Sequence, residues 1–180
     1  MKRLAGILLL GTAALLARNP DNYCEITTNA LLTQAVKNVP ASYTISTANC
    51  GPIRFYRLVT GTLPPGLSLS PVPGPTLTIS GTPVTPGIYA FSIRAFDSNY
   101  NIPSKSFVIK VNDELKIDTP ALATATASQS YTDTVRASGG VGPYTFSLAT
   151  GTLPTGLTLA SNGGITGTMS ATGSYFRVRV

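Results

Sequence analysis

The 180-residue chain has no histidine, no tryptophan and only two cysteines, and 11% of its residues are charged. Each shortage removes a class of chemistry. Without histidine the chain cannot assemble a Ser-His-Asp or Cys-His catalytic pair, an HExxH zinc site or a histidine-ligated haem. Two cysteines cannot complete a four-cysteine metal site. Missing tryptophan takes away the best platform for stacking on a sugar ring, which leaves Tyr56, Tyr100 and Tyr144 as the candidates for that role. Seven carboxylates are few, and the adjacent Asp113 and Glu114 would diverge on a strand instead of flanking a glycosidic bond. What the chain has in quantity is 17 Gly and 14 Pro among many Thr and Ser, a composition of short strands and tight turns.

The formal charge is +6. Part of it sits in residues 1–17, where Lys2 and Arg3 precede an uncharged run that ends in the small residues Ala13, Ala14 and Ala17. That order reads as a secretory signal peptide. The run is short for a permanent span, which takes about 18 or more apolar residues. Residues 18–24 then form a short polar N-terminal segment. The remaining positive residues are scattered with no Lys/Arg run, so nucleic-acid binding has no footprint. Export makes one disulfide between Cys24 and Cys50 the simplest reading of an even cysteine count, and an antiparallel pairing of the first two strands would bring them to one end of a sheet. A lipid-modified Cys24 and two free buried thiols are the alternatives.

Internal repetition is the strongest signal. Gly61-Thr62-Leu63-Pro64-Pro65-Gly66-Leu67-Ser68-Leu69 recurs 90 residues later as Gly151-Thr152-Leu153-Pro154-Thr155-Gly156-Leu157-Thr158-Leu159. Tyr43-Thr44 matches Tyr131-Thr132, the segment from Gly51 to Phe55 matches that from Gly142 to Phe146, and Ile79-Ser80-Gly81-Thr82 matches Ile165-Thr166-Gly167-Thr168. Period-two alternation predicts strands: Tyr89, Phe91, Ile93 and Ala95 share one face, and Phe107, Ile109 and Val111 share another. Proline and Gly66 make the Leu-Pro-Pro-Gly stretch a corner. Short strands broken by Gly/Pro turns predict an all-β, Greek-key β-sandwich in each unit. The expected units are residues 25–113 and 114–180, the second lacking its last strand.

The Gly-Thr-Leu-Pro-x-Gly-Leu corner, the turn from Ile79 to Pro83, the strand from Gly87 to Asp97 and the run from Ala137 through Leu148 resemble the putative Ig repeat of bacterial surface proteins and haemagglutinins. That family is related to dystroglycan-type cadherin-like domains. The resemblance covers two tandem copies from about Leu31 onward. It implies Ig-like domains of a secreted or surface-attached bacterial protein, serving as spacers, adhesion modules or accessory modules beside enzymes, in some cases with calcium between them. Asp97 falls where the family places an acidic residue, Asp97-Ser98-Asn99-Tyr100-Asn101 has the spacing of half a calcium loop, and Asp113 and Glu114 fall at the junction of the copies. Asp97, Asn99, Asp113 and Glu114, with Asn112 or Asp133, are thus the candidate calcium ligands; a polar turn and a solvated linker are the alternative. The expected function is non-enzymatic, either adhesion or spacing. Its expected partners are other Ig-like repeats and surface glycans or proteins. Two other roles fit the same features: the accessory, carbohydrate-binding region of a longer secreted enzyme, and a filament subunit whose 30–39 segment supplies a strand to a neighbour.

Overall fold

The computed structural model describes residues 23–70, 73–170 and 176–180; the expected signal peptide, residues 1–17, lies outside them. Among the described residues every regular element is a strand. The first copy holds eight: β1 (Glu25–Ile26), β2 (Ala35–Val36), β3 (Ala41–Ala48), β4 (Ile53–Gly61), β5 (Leu67–Leu69), β6 (Thr76–Gly81), β7 (Gly87–Asp97) and β8 (Ser104–Asn112). They make two sheets, β1-β3-β6-β5 and β2-β8-β7-β4. All pairs are antiparallel except β2 with β8.

Alternation explains the sandwich. Phe91, Ile93 and Ala95 of β7 and Phe107, Ile109 and Val111 of β8 are buried, as are Tyr43 and Ile45 of β3 and Leu77 and Ile79 of β6. These inward rows, Ala95 excepted, form one core, with the Phe91 and Phe107 rings 5.9 Å apart. Each such side chain stabilises the fold by roughly 1.5–3 kcal/mol relative to exposure.

The second copy repeats the plan with β9 (Lys116–Ile117), β10 (Ser130–Thr134), β11 (Ala137–Ser138), β12 (Ser147–Gly151), β13 (Leu157–Leu159), β14 (Gly164–Thr168) and β15 (Phe176–Arg179). Its sheets are β10-β14-β13 and β12-β15, beside the short pair β9-β11. Tyr131, Val135, Phe146 and Ile165 are its buried core. Among the described residues β15 pairs only with β12, and no counterpart of β8 is present.

The repeated corner has a steric cause. A Cβ on Gly66 would stand 2.0 Å from Thr82 O, and one on Gly81 would stand 2.1 Å from Gly66 O. Both residues also have positive φ, 94° and 140°. The Leu-Pro-x-Gly-Leu corner and the Ile-x-Gly-Thr strand end therefore interlock backbone to backbone, and Thr82 N–H donates to Gly66 O at 3.1 Å. Gly156 and Gly167 meet in the same way in the second copy.

Two expectations change. The 30–39 segment is not free to join a neighbour: Leu31 bridges Val108, β2 pairs with β8, and Leu32 and Ala35 are buried in their own core. The alignment of Phe55 with Phe146 is also off by one. Gly61 and Leu58 pair with Phe91 and Ile93 as Gly151 and Leu148 pair with Phe176 and Val178. That register puts the buried Phe146 in the place of half-buried Tyr56, and Phe55 in the place of Thr145.

Candidate functional site

The strand register separates the residues expected to bind calcium. β7 and β8 run antiparallel, with Gly87 opposite Val111 and Arg94 opposite Ser104. Asp97 therefore stands at one pole of the first copy and Asp113 at the other, roughly 30 Å apart at about 3.3 Å per strand residue. Asp97 and Asn99 do not converge with Asp113 and Glu114 on one site.

At the first pole Asp97 is 4% exposed. Its Oδ1 accepts the backbone N–H groups of Asn99 and Asn101 at 2.9 and 2.8 Å. Its Oδ2 accepts Gly51 N–H at 2.9 Å and the Asn101 side-chain amide at 2.8 Å. Burial opposes ionisation, but the Asn101 amide and the backbone donors of Gly51, Asn101 and Asn99 outweigh it and hold the carboxyl below its ordinary value. Four donors fill the lone pairs that a metal would need. The spacing that resembles half a calcium loop serves here as a hydrogen-bonded turn. Cys24 and Cys50 are bonded at this same pole, across a sequence separation of 26.

At the opposite pole β8 ends at Asn112 and β9 begins at Lys116, so Asp113, Glu114 and Leu115 alone link the copies. Gly140 N–H donates to Asp113 O at 2.7 Å. Asn38 Nδ2 donates to Glu114 Oε1. Asn112 is committed to Gln34 Oε1 through its side-chain amide at 2.8 Å. A cleft of about 680 Å³ opens here, lined by Lys37, Lys110 and Lys116 as well as by Asp113 and Glu114. Three lysines beside two carboxylates make a poor cation site. Among the described residues no group of three or more His, Cys, Asp or Glu could hold a metal. Asp133 lies elsewhere, accepting Ala123 N–H and Thr134 N–H at 2.7 Å each. Those two backbone donors, chiefly, keep its carboxyl below the ordinary value.

The candidate stacking tyrosines divide in the same manner. Tyr56 is half-buried and donates to Gly74 O at 3.1 Å, and Tyr144 donates to Gly139 O at 2.5 Å. Only Tyr100 offers its ring, 85% exposed, with the Arg54 guanidinium 5.9 Å from its centroid.

A more concentrated arrangement lies on the outer face of β4, β7 and β8. Phe55 of β4 stacks on Phe96 of β7, centroids 4.4 Å apart, and Phe55 is 51% exposed. One step along the same face Arg57 lies directly opposite Arg94. One step further Thr60 Oγ1 donates to Ser92 Oγ at 2.9 Å, and Ser92 Oγ meets Ser106 Oγ at 2.9 Å. The sequence did not single these residues out. The signal that could have found them is the cross-strand register, which pairs Phe with Phe and Arg with Arg.

No curated protein matches the chain. Among solved structures it is similar to an endo-fucoidan hydrolase of glycoside hydrolase family 107, with 19% identity and a TM-score of 0.38 over 78% of this chain and 24% of that one. It is also similar to a protocadherin extracellular domain, with 13% identity and a TM-score of 0.41 over 83% and 30% of the two chains. The titin Z1Z2 domains match with 11% identity and a TM-score of 0.40 over 83% and 82%. The chain spans between 17% and 28% of the length of the first solved structures it matches. The family model described as putative Ig domain matches residues 25–112 and again 115–180. The chain therefore belongs to the putative Ig domain family, in two tandem Ig-like copies.

Proposed function

We propose that the protein is a non-enzymatic, exported bacterial protein whose Ig-like domains work at the cell surface as spacers that carry an adhesive face. The observation that carries this reading is the polarity of the first copy. The chain enters beside Cys24, leaves at Asp113 on the opposite pole, and passes to the next copy through three residues held by Asn38 and Gly140. Such a connection stacks domains end to end with little slack. The disulfide at the entry pole supports it, because a pull on the N-terminal segment passes through a covalent bond into the β3–β4 connection. The signal segment and the scarcity of chemically versatile side chains support an exported module without catalysis.

Small-angle X-ray scattering on the secreted chain tests the spacer. An elongated particle about two domains long supports it; a side-by-side pair of lobes overturns it. N-terminal sequencing of the exported protein tests the leader, with cleavage expected after Ala17.

A further inference from the structure

The outer face of β4, β7 and β8 carries an arrangement that the fold does not need. Arg57 and Arg94 are directly opposed. Like charges so placed destabilise a sheet. Among the described residues the one ion pair joins Lys116 to Asp118, so no carboxylate neutralises this pair. Arg94 Nε is buried and has no hydrogen-bond partner.

The second copy provides an internal comparison. Arg179 pairs with Ser147 as Arg94 pairs with Arg57. There the arginine is satisfied: Arg179 Nε donates to Ser147 Oγ at 2.9 Å. At the site of Phe55 the second copy has exposed Thr145. The first copy thus differs from its own repeat by a second arginine and an exposed phenylalanine, adjacent on one face, and by the loss of the group that satisfies the first arginine.

We infer that this face of the first copy binds an anionic polysaccharide, one bearing sulfate or carboxylate groups. The guanidinium pair takes the oxyanion with charge-assisted hydrogen bonds, which removes the repulsion. Phe55, held flat by Phe96, covers the apolar face of the neighbouring ring. The Thr60, Ser92 and Ser106 hydroxyls line the continuation of the face and meet sugar hydroxyls. An acidic peptide fits less well: strand addition would lay it along the free edge of β4, whereas Phe96, Arg94 and Ser92 stand on β7, inside the sheet. A nucleic acid needs a longer track of cations than two arginines. The inference rests on the proposed surface role only for where such a polymer is met, and its binding test is independent of the scattering test.

The experiment measures binding of the full chain to dextran sulfate, with uncharged dextran, polyglutamate and an oligothymidine as comparators. Dextran sulfate is expected to bind and the other three to bind far more weakly. Arg57→Ser, which copies Ser147, is expected to weaken dextran sulfate binding at least about tenfold with the unfolding midpoint unchanged or raised. Phe55→Thr, which copies Thr145, is expected to weaken it at least about threefold. Arg177→Ser removes the same charge from an exposed site on β15 and is expected to change it less than about twofold. Equal loss in Arg177→Ser reduces the effect to net charge and overturns the proposal. So does an unaltered affinity in Phe55→Thr, or binding of polyglutamate or oligothymidine as tight as that of dextran sulfate.

Discussion

Gly51 donates its backbone N–H to the Asp97 carboxylate at 2.9 Å, and so the start of β4 is tied to the end of β7 one residue beyond a disulfide. Asp97 is the one buried charged side chain among the described residues, and its environment explains why an ion can stay there. Replacing Asp97 by Asn puts an amide nitrogen among groups that already donate. Asp97→Asn is expected to lower the midpoint of thermal unfolding clearly more than Asp113→Asn does, since Asp113 is exposed. Equal midpoints for the two variants would remove the structural role assigned to the turn.

Acid should act through the same group. The Asp97 and Asp133 carboxyls titrate below their ordinary values in the fold. A lowered folded-state value contributes stability above the unfolded value of about 3.9, and that contribution fades as pH falls through the folded values. Stability is expected to be flat from about pH 7 to pH 5 and to decline below about pH 4. Denaturant titrations at stepped pH check this, and the decline should be shallower in Asp97→Asn.

Tyr43 and Tyr131 are matched in the repeat but not in the fold, since Tyr43 lies opposite Ile79 and Tyr131 opposite Gly167, the counterpart of Gly81, and they differ at the hydroxyl. Tyr43 OH is buried without a partner, whereas Tyr131 OH donates to Ala123 O at 3.0 Å. Tyr43→Phe is expected to leave stability unchanged or raise it by about 1 kcal/mol, and Tyr131→Phe to lower it by about 1 kcal/mol. Urea unfolding of the two variants gives the comparison. The opposite ordering would show that the two cores are not satisfied as described.

Closing a loop across a separation of 26 residues is worth roughly 3 kcal/mol in the chain-entropy model. The double variant Cys24→Ser, Cys50→Ser should show a loss of that order in urea unfolding under oxidising conditions. A loss well below 1 kcal/mol would mean that the Asp97 turn alone holds this pole.

Calcium is expected to leave the unfolding midpoint where a chelator leaves it, because the strand register keeps Asp97 apart from Asp113 and three lysines line the same cleft as the junction carboxylates. A rise of several degrees on adding calcium would restore the interdomain site.

The core was legible in the sequence because alternation reports it directly: Phe91, Ile93, Phe107 and Ile109 face inward as their period-two spacing requires. The corner was legible as a repeat, although its cause, two backbones in contact at Gly66 and Gly81, needed coordinates. The site was not. Asp97 carries the same residue type and spacing whether its oxygens meet a cation or four N–H groups, and only the fold decides which. Arg57 and Arg94 are 37 positions apart in the chain, and bulges in β4 hide the register that sets them side by side.

The Gly66–Gly81 contact also bears on how copies of this unit diverge. Outer faces can exchange Ser147 for Arg57 or Thr145 for Phe55 without touching the fold, whereas a side chain at either glycine would collide with main chain. Binding faces can therefore change from one copy to the next while the corner stays fixed. The corner would then mark every related unit, and the residues opposite it in the sandwich would be the place to look for what each unit recognises.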